Sequence, residues 1–349
     1  MSFKHLTVGC LHLYDRELRS TKKMVENSRV ILDELYKHLL ENEDIILLNI
    51  NGDIQHKTPI DKHQRKEVAY WRKMFRQIGE LMQSRFKQFK GYSLAGASDE
   101  LKKDFKDGKV YPIFTTKGNH DIDNDLGHTF FDDLEEEGLI INVRGLLVRT
   151  ETERTYFSYR DYDTKNRKIP NFKNKTNVIG IEHNNILHDE SSLWNVPGAE
   201  DKFLKAEDVV PNTDVVIMHH VHEKVDPLYV ETAEKSHVLW QPGAIGRTSL
   251  IDEAKRDVGY GAVMEFNKID RFKTVEFDLI PYMEYFTYKK MMDKKKYKNE
   301  FENFDLKMGE YERISTNYVD DINSFEDIED DVKEYAIKVM DGIESNRDK

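Results

Sequence analysis

Histidine, carboxylate and carboxamide side chains follow short apolar runs at five places along the chain. They occur in Gly9-Cys10-Leu11-His12, Asn51-Gly52-Asp53-Ile54-Gln55-His56, Lys117-Gly118-Asn119-His120-Asp121, at His183, and in His219-His220-Val221-His222. Strand alternation puts His220 and His222 on one side, so both can approach the same ligand cluster. Carboxylate, amide and imidazole ligands together suit Mn²⁺, Fe or Zn²⁺, and a bridging carboxylate holds two ions roughly 3.5 to 4 Å apart. The series therefore predicts a metal centre.

The elements that position these residues alternate between strand and helix. Amphipathic spacing predicts helices at Thr21–Glu41 and Asp61–Phe89, and closely spaced strands follow from about Gly138. Tyr92–Gly108 mixes small and charged residues, which is typical of an insertion or a mobile surface element. The alternation predicts an α/β fold with helices on the sheet faces and functional residues at the strand ends. The apolar runs predicted as buried strands are Leu6–Val8, Ile45–Ile50, Ile113–Phe114, Val178–Ile181 and Val215–Met218.

The composition is that of a globular protein with a heavily charged exterior. The 349 residues carry a formal net charge of −12, and 38% are hydrophobic, which suits one large domain and a smaller one. A single cysteine excludes an intrachain disulfide, and Met1–Cys10 lacks the apolar run of a secretory signal. No apolar stretch is long enough to span a membrane, so we expect a cytoplasmic location. The acidic total argues weakly against a general nucleic-acid coat.

The composition shifts near Pro281. Tyrosines and phenylalanine precede a lysine run at 289–298, and an acidic segment at 320–331 leads into apolar residues spaced by three, four and seven. These shifts predict a large domain at 1–280, a second region at 281–318 and an amphipathic helical tail at 319–349. The tail's apolar stripe can bind a partner or pack on this chain's own body. The lysine run can bind phosphates or form a solvated helix face.

The motif series resembles the calcineurin-like metallophosphoesterases and is most similar to the SbcD-type DNA nucleases. These are the exonuclease subunits of recombination complexes in bacteria, phages and higher organisms. The similarity spans about Leu6 to Ser249, and it implies a four-layer α-β-β-α sandwich with a smaller C-terminal capping domain and a helical tail. Three details favour the nuclease branch: His56 three residues after Asp53, the helix after Thr58-Pro59, and Gln241-Pro242-Gly243-Ala244 leading to Arg247-Thr248-Ser249.

The resemblance also implies a role for each motif residue. Asp53 bridges two ions, one of which also takes His12 and His222, while the other takes Asn119, His183 and His220. His120 protonates the leaving oxygen, Asp121 orients His120, and His56 contacts the phosphate. The alternatives are an exposed loop residue for His56, a turn cap for Asp121, and satisfied core residues for the ligand histidines.

Two positions depart from the family pattern. Cys10 stands where the family usually has an aspartate ligand, and His219 stands where it usually has glycine. A thiolate at Cys10 can replace the aspartate, holding zinc at about 2.3 Å, and would shift the preference from Mn²⁺ toward Zn²⁺ or Fe. Otherwise Cys10 is a small strand residue. We expect His219 to point away from His220, unless the strand register is shifted by one.

The resemblance implies a metal-dependent DNA exonuclease that also nicks single strands. It would use two divalent ions, with Mn²⁺ expected, and a partner ATPase of the SbcC type gripped by the tail. A homodimer is compatible with the resemblance, although the sequence shows no self-complementary stripe. A phage-encoded chain would act in the host cytoplasm. Two alternatives stay open: a nucleotide or phosphoprotein phosphoesterase of the same superfamily, and a scaffold that has lost an ion because of Cys10.

Overall fold

The computed structural model describes residues 3–15, 23–56, 65–88, 92–95, 97–122, 128–143, 147–150, 155–160, 177–184, 186–187, 204–205, 212–233, 235–247, 256–266 and 268–281. The chain divides into two compact units, Met1–Tyr285 and Phe286–Lys349, and all described residues lie in the first. The predicted capping region, apart from Pro281, and the predicted tail therefore lie outside the described residues.

Helices and strands alternate in the first half of the described chain, and strands dominate the second. The helices are α1 (Met24–Glu41), α2 (Arg65–Gln88), α3 (Asp99–Asp107) and α4 (Phe130–Glu136). The strands are β1 (Lys4–Gly9), β2 (Ile45–Asn51), β3 (Tyr92–Ala95), β4 (Ile113–Thr116), β5 (Ile141–Asn142), β6 (Leu147–Thr150), β7 (Thr155–Arg160), β8 (Asn177–His183), β9 (Ile186–Leu187), β10 (Leu204–Lys205), β11 (Val215–His219), β12 (Val225–Glu231), β13 (Ser236–Gln241), β14 (Val258–Glu265) and β15 (Lys268–Asp278).

Two large mixed sheets carry the fold. In the first sheet the strand order is β15-β14-β1-β2-β4-β5, with β1, β2, β4 and β5 parallel. In the second the order is β12-β13-β11-β8-β7-β6-β3, with β7, β8, β11 and β13 parallel. The predicted α/β class is therefore confirmed at the level of two mixed sheets with helices.

The buried strand β2 shows how the layers are arranged. Leu48 and Ile50 pack into the core that α1 and α2 form on one face of the first sheet. The alternate residue Leu47 packs into a second core, which residues of the second sheet such as Ile179 and Val215 complete. Because successive strand side chains point to opposite faces, β2 is apolar on both sides and appears in the sequence as a continuous apolar run.

The segment Tyr92–Gly108, expected to be an insertion or a mobile surface element, carries regular secondary structure, and its helix α3 lies at the surface with no buried residue. It contains β3, which pairs antiparallel with β6, and α3, whose first turn is capped by the Ser98 hydroxyl accepting from the Leu101 amide. Strand pairing with a segment some fifty residues away leaves no local mark in the sequence, which is why the pattern did not indicate β3. In the part of the chain described here, no helix combines the length and apolar character of a membrane span.

Candidate metal centre

The predicted ligands follow parallel strands of both sheets. Cys10 and His12 come after β1, Asp53 after β2 and Asn119 after β4 in the first sheet, and His183 ends β8 in the second. His220 and His222 follow β11, and the register pairs His219 with His183. Carboxyl ends of parallel strands meet at one sheet edge, so each sheet delivers its own ligands to the same end of the molecule.

The backbone at this end is held in an unusual conformation. Four candidate residues have positive φ angles: Cys10 (55°), His12 (46°), Asp53 (51°) and His220 (107°). A residue with a side chain seldom adopts this region, and such strain is found where the surrounding structure forces a side chain into a functional position. The strain therefore coincides with the predicted site.

Two glycines give the ligands room to approach one another. A Cβ atom at Gly52, which has φ of 68°, would lie 2.2 Å from Nδ1 of His183, and one at Gly118 would lie 2.1 Å from Oδ1 of Asp53. Either contact is far below van der Waals distance. Close packing at the centre thus requires both glycines, and the positive φ angle of Gly52 is a second requirement at that position.

Cys10 belongs to two ligand groupings. Its Sγ lies within 4.8 Å of ligand atoms of His12 and His222, and the same holds for Asp53 and His183. The Cys10 side chain is fully buried, and burial, reinforced by the Asp53 charge, raises the pKa of its thiol well above the usual value. The main chain of His220 hydrogen-bonds to the thiol.

Asp53 lies between histidines from the two sheets. Its Oδ2 is 3.2 Å from Nε2 of His183 and 3.7 Å from Nε2 of His12. Its Oδ1 accepts a hydrogen bond of 2.9 Å from the His120 amide, which leaves Oδ2 facing the imidazoles. Burial by itself raises the pKa of Asp53, but the nearby His183, His12 and His120 rings outweigh it and hold the pKa below its usual range.

The hydrogen bond of His183 prepares its other ring nitrogen for a cation. Nδ1 donates to the Asn51 carbonyl at 2.8 Å, so in the neutral ring the lone pair is on Nε2 and faces the Asp53 carboxylate. Two acceptors at that distance need a positive charge between them. A proton satisfies this need, since Asp53 outweighs burial and raises the pKa of His183, and a metal ion satisfies it equally.

Burial favours the neutral form of three predicted ligands, His12, His220 and His222. Burial lowers the pKa of His222 to about 3 and that of His220 to about 4, and it holds the pKa of His12 well below its usual value. His12 and His222 approach with their Nε2 atoms 2.9 Å apart. Neutral imidazoles keep the lone pair that a metal requires, so the donor set fits a divalent cation.

Asn119 and His220 complete the predicted ligands. The Oδ1 atom of Asn119 is buried, and no hydrogen-bonding partner for it lies among the described residues. A cation would satisfy such an acceptor. The His220 ring lies next to His183, with ring centroids 5.2 Å apart.

His120 and His56 form a second histidine grouping with His12, and the three offer ligand atoms within 4.8 Å of one another. Nδ1 of His120 hydrogen-bonds to the His56 carbonyl at 2.5 Å. The His56 ring lies between two others, stacked on His120 at 4.9 Å and on Tyr14 at 4.3 Å. His56 is also nearly buried, rather than the exposed loop residue of the alternative reading.

Asp121 binds main chain in this structure. Its two oxygens accept from the amides of Ile54 and Gly118, both at 3.0 Å, which ties the loop after β2 to the loop after β4. Burial raises the pKa of Asp121 to about 7, with the Asp53 charge adding to it. The His120 ring donates from Nδ1 to the His56 carbonyl, whereas the sequence interpretation gave the orienting role to Asp121.

Sequence reasoning missed Asn51 and set His219 aside. Both are buried, and Nδ2 of Asn51 lies 2.9 Å from Nδ1 of His219. Asn51 precedes a recognisable Gly-Asp motif, but an asparagine at a strand end carries no chemical signal of its own. His219 is the last residue of β11, and its ring lies against Asn51 and the Gly9 backbone, whereas the ring of His220, which follows the strand with φ of 107°, lies next to His183.

Comparisons with known proteins give little beyond this geometry. No protein-family model matches the sequence, and no curated protein matches it. A solved structure, that of TT1561 of Thermus thermophilus, is similar at 8% identity and a TM-score of 0.39, over 79% of this chain and 100% of that chain. A likeness at that level carries no argument about family or function.

Proposed function

We propose that this chain is a metal-dependent phosphodiesterase, and specifically the nuclease subunit of an SbcCD-like DNA exonuclease. The observation that carries the metal-dependent chemistry is the position of Asp53. One carboxylate oxygen lies between histidines of both sheets, while the other is bonded to the amide of His120, the expected general acid. The Asp53 side chain therefore contacts both the proposed ligand histidines and the main chain of the proposed general acid.

The proposed ion sites share Asp53. His12 and His222 complete one, with Cys10 beside them, and Asn119, His183 and His220 complete the other. These residues would hold divalent ions, whose Lewis acidity would activate a water molecule and offset charge on the phosphoryl oxygens. The finer fold, a four-layer sandwich with a C-terminal cap, belongs to the same proposal.

The chain's own contribution to bond cleavage is proton transfer at His120. Its Nδ1 is engaged by the His56 carbonyl, so Nε2 is the atom that gives a proton to the leaving oxygen when the ring is charged. A sugar alkoxide is a poor leaving group, and a positioned acid contributes about 10² to 10⁴ in rate. The Tyr14–His56–His120 stack restricts rotation of the acid.

The choice of DNA is supported by the resemblance and by one loop. The loop from Gln241 to Arg247, which resembles the post-histidine loop of the nucleases, lies against the centre, because the Ala244 amide donates to the His222 carbonyl and the Gly246 amide to the Cys10 carbonyl. The SbcC-type ATPase, the lysine run at 289–298 and the tail are proposed from the sequence alone, since they involve residues outside the described part.

The deciding experiment is degradation of linear duplex DNA labelled at the 5′ or the 3′ end, with Mn²⁺ or with EDTA. We expect stepwise shortening that needs Mn²⁺, and the two labels give its polarity. Asp53→Asn should abolish it, while the matched surface variant Asp44→Asn should retain it. Cleavage of small phosphoesters only would favour a phosphatase, and no cleavage by a chain that binds fewer than two ions would favour a scaffold.

A further inference from the structure

The side chain of Asn51 is fully hydrogen-bonded between the two sheets. Its Nδ2 donates to the Glu182 carbonyl at 2.6 Å and to Nδ1 of His219 at 2.9 Å. Its Oδ1 accepts from the Thr116 hydroxyl at 2.7 Å. A buried carboxamide with both donors and its acceptor engaged has one available orientation. Asn51 therefore ties the end of β2 to β4 in its own sheet and to β8 and β11 in the other.

The same contact fixes the state of His219. Because the amide nitrogen of Asn51 is a donor, Nδ1 of His219 must accept, and the ring proton must be on Nε2. A ring in this tautomer has no lone pair to offer a metal. His219 is therefore separate from the ligand histidines, although it is adjacent to His220 in sequence.

The His219 ring also fills space at the end of β1. A Cβ atom at Gly9 would lie 2.4 Å from Cγ of His219, so the ring packs directly on the backbone that leads to Cys10. The carbonyl of Asn51 meanwhile accepts from Nδ1 of His183. Asn51 and His219 therefore bring the ends of β1 and β2 in one sheet into contact with the ends of β8 and β11 in the other.

We propose that Asn51 and His219 are positioning residues that set the spacing between the two halves of the metal centre. The first half, Cys10, His12, Asp53 and Asn119, follows strands of the first sheet, and the second half, His183, His220 and His222, comes from the second. Neither residue binds the ion. Their hydrogen bond holds the sheet ends at the separation at which Oδ2 of Asp53 meets Nε2 of His183. The inference deepens the proposed function because it concerns the same centre, but it predicts metal affinity and makes no use of the substrate.

The chain offers a matched control in Asn49. This residue lies on β2, is equally buried and also links the sheets, since it donates to the Thr7 hydroxyl at 3.0 Å and accepts from the Tyr159 hydroxyl at 2.8 Å. It lies two residues further from the ligands. A purely structural role predicts the same outcome for Asn49→Ala and Asn51→Ala, whereas a positioning role separates them.

The test measures Mn²⁺ affinity by calorimetry on the full chain, beside urea unfolding of the metal-free protein. We expect both alanine variants to lower the unfolding midpoint, and only Asn51→Ala to weaken Mn²⁺ binding, by about 10- to 100-fold, as supporting residues of metal ligands do. His219→Gln keeps a carbonyl that can accept from Asn51 and should retain more affinity than His219→Leu. Because both replace the same ring, this pair also tests the proposal if Asn51→Ala fails to fold.

Equal Mn²⁺ affinities for Asn49→Ala and Asn51→Ala, or for His219→Gln and His219→Leu, would overturn the proposal. A different result would refute the proposed nuclease function. If the wild-type chain binds Mn²⁺ with the expected dependence on Asn51 and His219 but cleaves no phosphodiester, the positioning role is supported and the nuclease is refuted.

Discussion

Oδ2 of Asp53 lies 3.2 Å from Nε2 of His183, and the two residues belong to different sheets. Because Nδ1 of His183 is bonded to the Asn51 carbonyl, the carboxylate and the imidazole lone pair point toward each other. Such a pair needs a cation between its members.

Asp53 and His183 should differ in how many ions they control. Asp53 contacts histidines of both proposed ion sites, so Asp53→Asn should lose both ions, whereas His183→Ala should lose one. Each loss removes several kcal/mol of charge stabilisation, which corresponds to about 10³-fold or more in rate. Metal analysis after gel filtration gives the count. The exposed variant His128→Ala serves as control, and equal ion loss in Asp53→Asn and His183→Ala would contradict a bridging carboxylate.

His120→Ala should retain metal and lose turnover. The expected loss is about 10² to 10⁴ for a phosphodiester with an alcohol leaving group. For a nitrophenyl ester the loss should be much smaller, because that leaving group departs without a proton. Comparing the two substrates in wild type and variant separates acid catalysis from a general disturbance of the site. Equal losses on both esters would refute the acid role.

Cys10 should bind a soft ion as thiolate. Its Sγ lies within 4.8 Å of both ligand groupings, so Co²⁺ loading should produce a thiolate-to-cobalt charge-transfer band in the near ultraviolet. Cys10→Ser should abolish the band, and Cys10→Asp should raise Mn²⁺ affinity relative to Zn²⁺. A wild-type protein that binds Co²⁺ without the band would show that Cys10 is only a buried strand residue.

Arg85 should contribute strongly to stability. From α2 its guanidinium donates to the carbonyls of Leu39, Asn42 and Ile45, at and beyond the end of α1, and the residue is almost buried. Arg85→Ala removes three hydrogen bonds from a charged donor, although the Leu39 and Asn42 carbonyls keep a backbone amide partner, and should cost about 3 kcal/mol in the free energy of unfolding measured in urea. Arg76→Ala, which removes an exposed ion pair to Glu137, should cost under about 1 kcal/mol. Similar costs for the two variants would refute the capping role.

His5 should make the fold sensitive to acid. Burial lowers its pKa to about 3, against about 6.5 in the unfolded chain. The neutral ring is favoured in the folded state, so its contribution is fully present above pH 6.5, declines as the pH falls toward 3 and levels off below that. At about 1.4 kcal/mol per pKa unit the loss is several kcal/mol.

The pH dependence of unfolding for His5→Leu tests this. Subtracting the variant from wild type cancels the ligand histidines, which titrate in both proteins. We expect a shallower loss of stability between pH 6.5 and 3 in the variant, and His128→Leu, at an exposed position, should keep the wild-type slope. A wild-type slope in His5→Leu would contradict the buried neutral histidine.

The sequence alone determined the residue types and the order of the elements. Leu6–Val8, Ile45–Ile50 and Val215–Met218 lie in β1, β2 and β11, because an apolar run that ends at a polar residue has few other ways to be buried. The order of polar residues after apolar runs likewise predicted ligands at the strand ends, and the resemblance implied that Cys10, His12, Asp53, His183 and His222 would share one centre, where the structure groups their ligand atoms.

Only the tertiary structure decided how the two sheets meet and which atoms face one another. The pairing of β3 with β6, the stack of Tyr14 on His56, and the contact of Asn51 with His219 all join residues that are far apart in the chain. Periodicity reports whether a side chain is buried, but hydrogen bonds between sheets depend on register and separation, which packing of the whole core sets. The ligand types were therefore readable in advance, whereas the residues that hold them at the right distance were not.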